Sequence, residues 1–380
     1  MQYDLISVDD HVIEPPHVWS DRLPAKFQEA GPHVVESEDR EFWVYEGRKG
    51  TTMGLTAVAG KERKEFSMDT VRYSDMIRGC WDPVQRARDL VSDGVRGSLC
   101  FPTFPRFAGV QFLKGDDKEL SDLCVKAYND WMLEEWCASV SGMYIPMIIG
   151  QLWDPQLMAA EIRRCSALGA RALTFPENPV PIGLPSLSTD YWNPVWEAVT
   201  ETDTVVCTHI GTSGVVPSPS EDAPFIVGIA LSPMASWSTC LDIIMGDIPR
   251  HYPTIKFALS EGGIGWVPFA LERADRSWER HRLWSGVDDT LPSEVFRRNV
   301  SVCFIGESMG IEARYHIGVD RIMWECDYPH ADTPWPDSQK EVAQSLEGVP
   351  DDEVAMITHG NAERLFRWTT RPDIDALLAT

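Results

Sequence analysis

A chain of 380 residues, 43% hydrophobic and 24% charged, has the volume for a sizeable core, which excludes a stapled mini-protein, a disordered tail and a membrane bundle. Its 34 basic against 58 acidic side chains give a formal charge of −24, so nucleic acid and anionic membranes are repelled and a small-molecule partner is expected. The first ten residues lack the basic and apolar regions of a secretory signal, and no window, 142–150 included, holds the roughly 18 to 20 apolar residues of a bilayer span.

The first apolar run, residues 5–8, predicts a strand that leads into Asp9-Asp10-His11. Residues 32–73 break the rhythm that follows: the alternating run at 41–45 and the Glu46-Gly47 turn predict a hairpin-bearing insertion after this strand. Asp82-Pro83 and Asp154-Pro155 each combine an N-cap with a proline at the first helical position, and predict helices over 84–91 and 156–168. Further strands are predicted at 95–101, 143–149, 170–175, 204–208, 255–259, 300–305 and 321–324. A long Pro/Gly/Ser-rich stretch at 211–230 is placed to act as a lid. Eight strands too apolar to have a wet face, separated by helices, predict an α/β fold: one (β/α)₈ TIM barrel domain over 1–380, distorted by the insertion. Nine cysteines, several inside the strand runs, read as reduced buried thiols and hence as a cytoplasmic protein.

In such a barrel, chemistry collects at the C-terminal ends of the strands. Asp9 and His11 share one strand face while Asp10 points the other way. His209 ends the fifth strand, Glu261 the sixth and Asp327 the eighth, with His330 three residues on. Each has an ordinary structural use when taken singly. Together, at corresponding strand ends, they form an Asp/His/Glu set suited to Zn, Mn or Fe and to activation of a water. His17 and His33 in turn-like segments, His251, His316 and His359 near helix ends and His281 in a charged helical run carry no such pattern. A competing motif, Gly306-Glu307-Ser308-Met309-Gly310, matches a nucleophile elbow with Asp327 or Asp332 and His359 downstream, but one further strand after Ser308 is too little to complete a hydrolase sheet.

Five segments in order carry a resemblance over nearly the whole chain: Asp9-Asp10-His11 followed by Glu14-Pro15-Pro16, His209, Glu261-Gly262-Gly263-Ile264-Gly265-Trp266, Asp327-Tyr328-Pro329-His330 and the closing Gly360-Asn361-Ala362-Glu363-Arg364. The pattern resembles the amidohydrolase superfamily, in the branch of aminocarboxymuconate-semialdehyde decarboxylase and the resorcylate decarboxylases. The resemblance implies that Asp9, His11, His209 and Asp327 are metal ligands and that Asp327 exchanges a proton with metal-bound water. The chain departs from many relatives in carrying Asp9 where they begin His-x-His, and Glu261 where decarboxylating members place a histidine acid/base.

Glu261 and His330 add donors enough for a second ion, and Glu261 is otherwise a general acid/base. Thr103, Phe104 and Arg106 after the second strand, Trp153 after the third and Trp335 after the eighth are expected to rim the substrate pocket, with Arg106 able to clamp a carboxylate. The reading is therefore an enzyme with one or two divalent ions (Zn, or Mn/Fe) that hydrolyses, or non-oxidatively decarboxylates, a small polar or carboxylate-bearing molecule. The alternatives are a dinuclear Mn/Fe or di-iron monooxygenase on the same scaffold, and an inactive partner subunit. Fifteen tryptophans and the lid leave apolar surface that a homo- or hetero-oligomer would cover.

Overall fold

The computed structural model describes residues 3–37, 40–50, 52–287 and 289–379. Twelve strands follow in order: β1 (Leu5–Val12), β2 (His33–Ser37), β3 (Arg40–Tyr45), β4 (Arg48–Gly50), β5 (Val95–Pro102), β6 (Tyr144–Ile145), β7 (Met147–Ile148), β8 (Ala172–Pro176), β9 (Val205–His209), β10 (Phe257–Ser260), β11 (Val300–Phe304) and β12 (Ile322–Trp324). The parallel runs β1-β5-β6 and β7-β8-β9-β10-β11-β12 meet at Pro146, which splits one strand into β6 and β7 because it has no N–H for the ladder. The ring closes where Asp327 N donates to Asp9 O and His11 N to Tyr328 O, each at 2.7 Å. The eight strands expected from the apolar runs are thus the eight staves of a (β/α)₈ barrel.

Both proline-led helices form, over Pro83–Ser92 and Pro155–Ala167, and the Asp82 and Asp154 carboxylates accept from first-turn amides as their spacing requires. The insertion is a three-stranded antiparallel sheet, β2-β3-β4, one strand more than a hairpin. Its Trp43 packs edge-on against Trp19 and beside Phe104, fastening the insertion to the barrel mouth. The nine cysteines are thiols, eight of them buried.

One helical stretch, Phe225–Met245, does meet the length and composition of a membrane span, with a mean hydropathy of 1.3, although only 28% of its window is buried. It consists of two helices, Phe225–Leu231 and Pro233–Met245. The second lays Cys240, Ile243 and Ile244 on the barrel, while the first overlaps the 211–230 stretch and presents Phe225 and Ile229 to the cleft. Serving two apolar surfaces makes the run more hydrophobic than one amphipathic helix would be.

The inner face of the barrel fixes which side chains reach its mouth. Ile6 and Val8 of β1, Val205 and Cys207 of β9, Ala258 of β10, Cys303 of β11 and Met323 of β12 share one interior cluster. Strict alternation would continue β1 inward at Asp10. The register of β1 against β5 slips between Ser7 and Asp10, and this bulge turns Asp9 and His11 inward instead. Asp10 then faces outward, where it accepts from Ser98 Oγ and from Tyr328 N beside the buried Arg86.

Candidate metal centre and cleft

His209 follows Val205 and Cys207 on the inner face of β9. Its Nδ1 donates to Ile210 O at 2.6 Å, so the Nε2 lone pair is turned to the barrel axis. That Nε2 lies 3.1 Å from His11 Nε2, 3.5 Å from Asp9 Oδ2 and 2.9 Å from Glu261 Oε2. His11 Nε2 is 3.4 Å from Asp9 Oδ1 and 3.3 Å from Asp327 Oδ1. His330 completes the group: its Nδ1 is 3.2 Å from Asp327 Oδ1 and its ring stacks on that of His11 with centroids 3.5 Å apart. The strands deliver these groups, but backbone strain aims two of them. Glu261 and Asp327 sit at φ of 53° and 56°, in the left-handed region that non-glycine residues avoid.

The donor atoms form two groups that share His11, one of Asp9, His11 and His209 and the other of His11, Asp327 and His330. Both carboxylate oxygens of Asp9 and both of Asp327 are buried without a hydrogen-bond partner, as are His11 Nδ1 and His330 Nε2. Burial, reinforced by the negative charges of Glu325, Asp327 and Glu261, pushes the Asp9 carboxyl well above the usual range. Asp327 is raised in the same way by burial and by Glu261, Asp332 and Glu325. Burial and neighbouring imidazoles hold His11 and His330 well below the ordinary histidine value. Burial also lowers His209, but Glu261 outweighs it and carries that imidazole upward. Orphaned buried carboxylates facing neutral imidazoles fit a divalent cation, which would repay the burial of the anions.

Residues 17–368 match the family model described as Amidohydrolase. The chain belongs to that family. No curated protein matches it. Among solved structures it is similar to an amidohydrolase from Mycobacterium avium subsp. paratuberculosis K-10, with 22% identity over 96% of this chain and 100% of that one and a TM-score of 0.75. It is also similar to 5-carboxyvanillate decarboxylase from Novosphingobium aromaticivorans DSM 12444, complexed with manganese and 4-hydroxy-3-methoxy-5-nitrobenzoic acid (18%, 96% of each chain, TM-score 0.67). A third is the dihydroxybenzoic acid decarboxylase from Polaromonas sp. JS666 with bound manganese and 2-nitroresorcinol (16%, 96% of this chain and 97% of that one, TM-score 0.62).

In this amidohydrolase-family enzyme the cleft over the centre is a row of three chambers. The middle one, about 310 Å³, is lined by Glu261, Asp327 and His330 on one side and by Val215, Val216, Phe225 and Ile229 of the 211–230 stretch on the other. It adjoins, through Thr56, Phe107 and Gly211, a chamber of about 220 Å³ walled by Trp43, Thr103, Phe104 and Arg106. On the other side, Glu261 and Asp332 are shared with an acidic chamber of about 410 Å³ that contains Glu325, Glu307, Glu341 and Arg63. Thr103, Phe104 and Arg106 therefore meet in one chamber, beside the cluster of Asp9, His11, His209 and Asp327. Trp153 and Trp335 line none of the three: Trp153 lies under Lys118 and accepts at its carbonyl from Tyr191, and Trp335 packs edge-on to Tyr328 and donates to Asp89 O. Ser308 is exposed at the start of a short helix. His359 contacts Asp4 O, ahead of β1 and so at the other end of the barrel, which takes it away from Ser308.

Two residues of the centre escaped the sequence reading. Glu325, 1% exposed, accepts from Cys303 Sγ and from Glu261 N. The alternation that carries Met323 inward also carries Glu325 and Asp327 inward, so the same pattern that marks Asp327 marks Glu325 two positions earlier. Phe107 sets its ring 4.8 Å from that of His11 and 4.3 Å from that of His209. Nothing in its local sequence marks it, because a turn outside the regular strand places it.

Proposed function

We propose that the enzyme binds one or two divalent ions through Asp9, His11, His209 and Asp327 and acts on a small carboxylate-bearing substrate, by hydrolysis or by non-oxidative loss of its carboxyl group. The observation that carries this reading is the set of four buried carboxylate oxygens of Asp9 and Asp327 that no protein donor satisfies. A bound divalent ion supplies Lewis-acid polarisation of a substrate oxygen and a lowered pKa for water. Arg106, exposed and lining the aromatic chamber, is the carboxylate clamp, and Trp43, Phe104 and Phe107 give a flat apolar seat. That seat suits an aromatic acid, the kind of compound acted on by the decarboxylases of similar fold. Asp327 and Glu261 handle protons. Glu261 stands where decarboxylating relatives place a histidine, and its side chain is 20% exposed, so it is the group that exchanges protons with solvent.

A second reading, an oxygen-using enzyme with two ions, is favoured by the two donor groups that share His11 and by the additional carboxylates Glu261 and Glu325 beside them. One experiment separates the readings. Protein stripped with chelator and refilled with Zn, Mn or Fe is analysed for ions per chain, then offered hydroxybenzoates and short aliphatic acids with and without air. One ion per chain with oxygen-independent release of CO₂ or of a hydrolysis product supports the first reading. Two ions with oxygen uptake supports the second.

A further inference from the structure

Glu14 lies two residues beyond β1 and is fully buried, yet it is outside the metal centre. Its two carboxylate oxygens accept from the backbone amides of Thr103 at 2.9 Å and Phe104 at 2.8 Å, and its own carbonyl accepts from the Tyr73 hydroxyl at 2.5 Å. Thr103 opens a tight turn closed by Arg106 N onto Thr103 O, with Arg106 held at φ 60°. The turn sends Arg106 into the aromatic chamber and the next residue, Phe107, onto the imidazoles of His11 and His209. Any acceptor would satisfy two amides. Using a carboxylate in a fully buried place is an expensive choice for folding alone, and it acts on a loop that touches both the aromatic chamber and the centre.

We propose that Glu14 is a positioning residue: by gripping the amides of 103 and 104 it sets the turn that aims Arg106 at the substrate carboxylate. The Tyr73 bond ties the insertion, which forms the opposite wall through Thr52, Met53 and Thr56, to the same point. The inference rests on the reading of this chamber as a carboxylate site.

The test uses metal-loaded full-length protein, with salicylate, benzoate and propionate as probes in titration calorimetry. Metal content and hydrogen exchange over 103–111 are measured in parallel. Arg106→Ala should weaken the tightest probe at least tenfold without changing exchange. Glu14→Gln, which retains one acceptor but turns an N–H toward an N–H, should weaken it about as much, speed exchange over 103–111 and leave metal content unchanged. Glu14→Asp, too short to reach both amides, should give the same signature and guards against a Gln variant that does not fold. Wild-type affinity in both Glu14 variants, or loss of metal in them, overturns the positioning role. If no probe binds the wild type, or Arg106→Ala binds normally, the carboxylate reading of the chamber falls and the inference with it.

Discussion

Two populations of buried carboxylates occupy the same end of this barrel, and they differ in how their lone pairs are filled. At the centre, Asp9 and Asp327 have no hydrogen-bond partner on any oxygen. At the rim, Glu14 takes two amides, and Glu177 takes Ser213 N on both oxygens and Ser213 Oγ at 2.6 Å, pinning the start of the 211–230 stretch. Glu307, only half-buried at the wall of the acidic chamber, also receives the amides of Ile264 and Gly265. The rim set has exchanged water for protein donors and needs nothing more. The centre set has given up water without a replacement, a state that folding alone would remove. Comparing the two is more informative than burial alone, which is complete for Asp9, Glu14 and Asp327 alike.

The comparison breaks most visibly at Asp327. Asp327→Asn should lower kcat by more than about a thousandfold and deplete metal, with little change in circular dichroism, because neither oxygen of the carboxylate accepts a hydrogen bond from the protein. Activity within tenfold of wild type would sink the assignment. Next in size is a crossed effect on the chelated protein. Asp9→Asn should leave thermal stability unchanged or raised, since it removes a repelled buried charge. Glu177→Ala should lower it by about 1–3 kcal/mol, since it strands Ser213. Unfolding midpoints measured without metal decide this, and equal losses in both variants would erase the distinction.

Burial raises Glu14 to about 7, above its ordinary value of 4.5. A carboxyl with a raised folded pKa adds stability at low pH that is lost as pH rises through the folded value. The stability of wild type relative to Glu14→Gln should therefore decline between about pH 4.5 and 7 and level off above, by up to roughly 3 kcal/mol. A flat difference across that window would contradict it. The smallest effect is expected at Ser308, where Ser308→Ala should leave turnover within twofold.

Much of this was legible in the residues, for identifiable reasons. Barrel strands buried on both faces leave continuous apolar runs, so 204–208 and 321–324 announce β9 and β12 to within a residue or two, and Asp-Pro pairs announce helix starts. His209 and Asp327 were accessible because they extend an alternation begun inside those runs. The bulge in β1 was not, since period two read from Val8 points Asp10 inward, and only the pairing with β5 reveals the slip. Residues beyond a strand are harder still. Proximity to a strand end selects Thr103, Phe104, Arg106, Trp153 and Trp335 equally. The first three share a chamber because Glu14, from another part of the chain, holds their turn. Trp153 is claimed by Lys118 and Tyr191, and Trp335 by Tyr328 and Asp89, through contacts no local pattern encodes.

The closing bonds between Asp9 and Asp327 and between His11 and Tyr328 join the first stave to the last. An ion held by Asp9, His11 and Asp327 would span that joint and act as a clasp on a hoop, tying two points that nearly the whole chain separates. Because loop-closure entropy grows slowly with length, one such link suppresses opening of the joint about as well as a far shorter loop would. Mass action then makes resistance to unzipping depend on free metal concentration. Removing the ion by chelation should therefore speed hydrogen exchange at the His11 and Asp327 amides, which make the closing bonds.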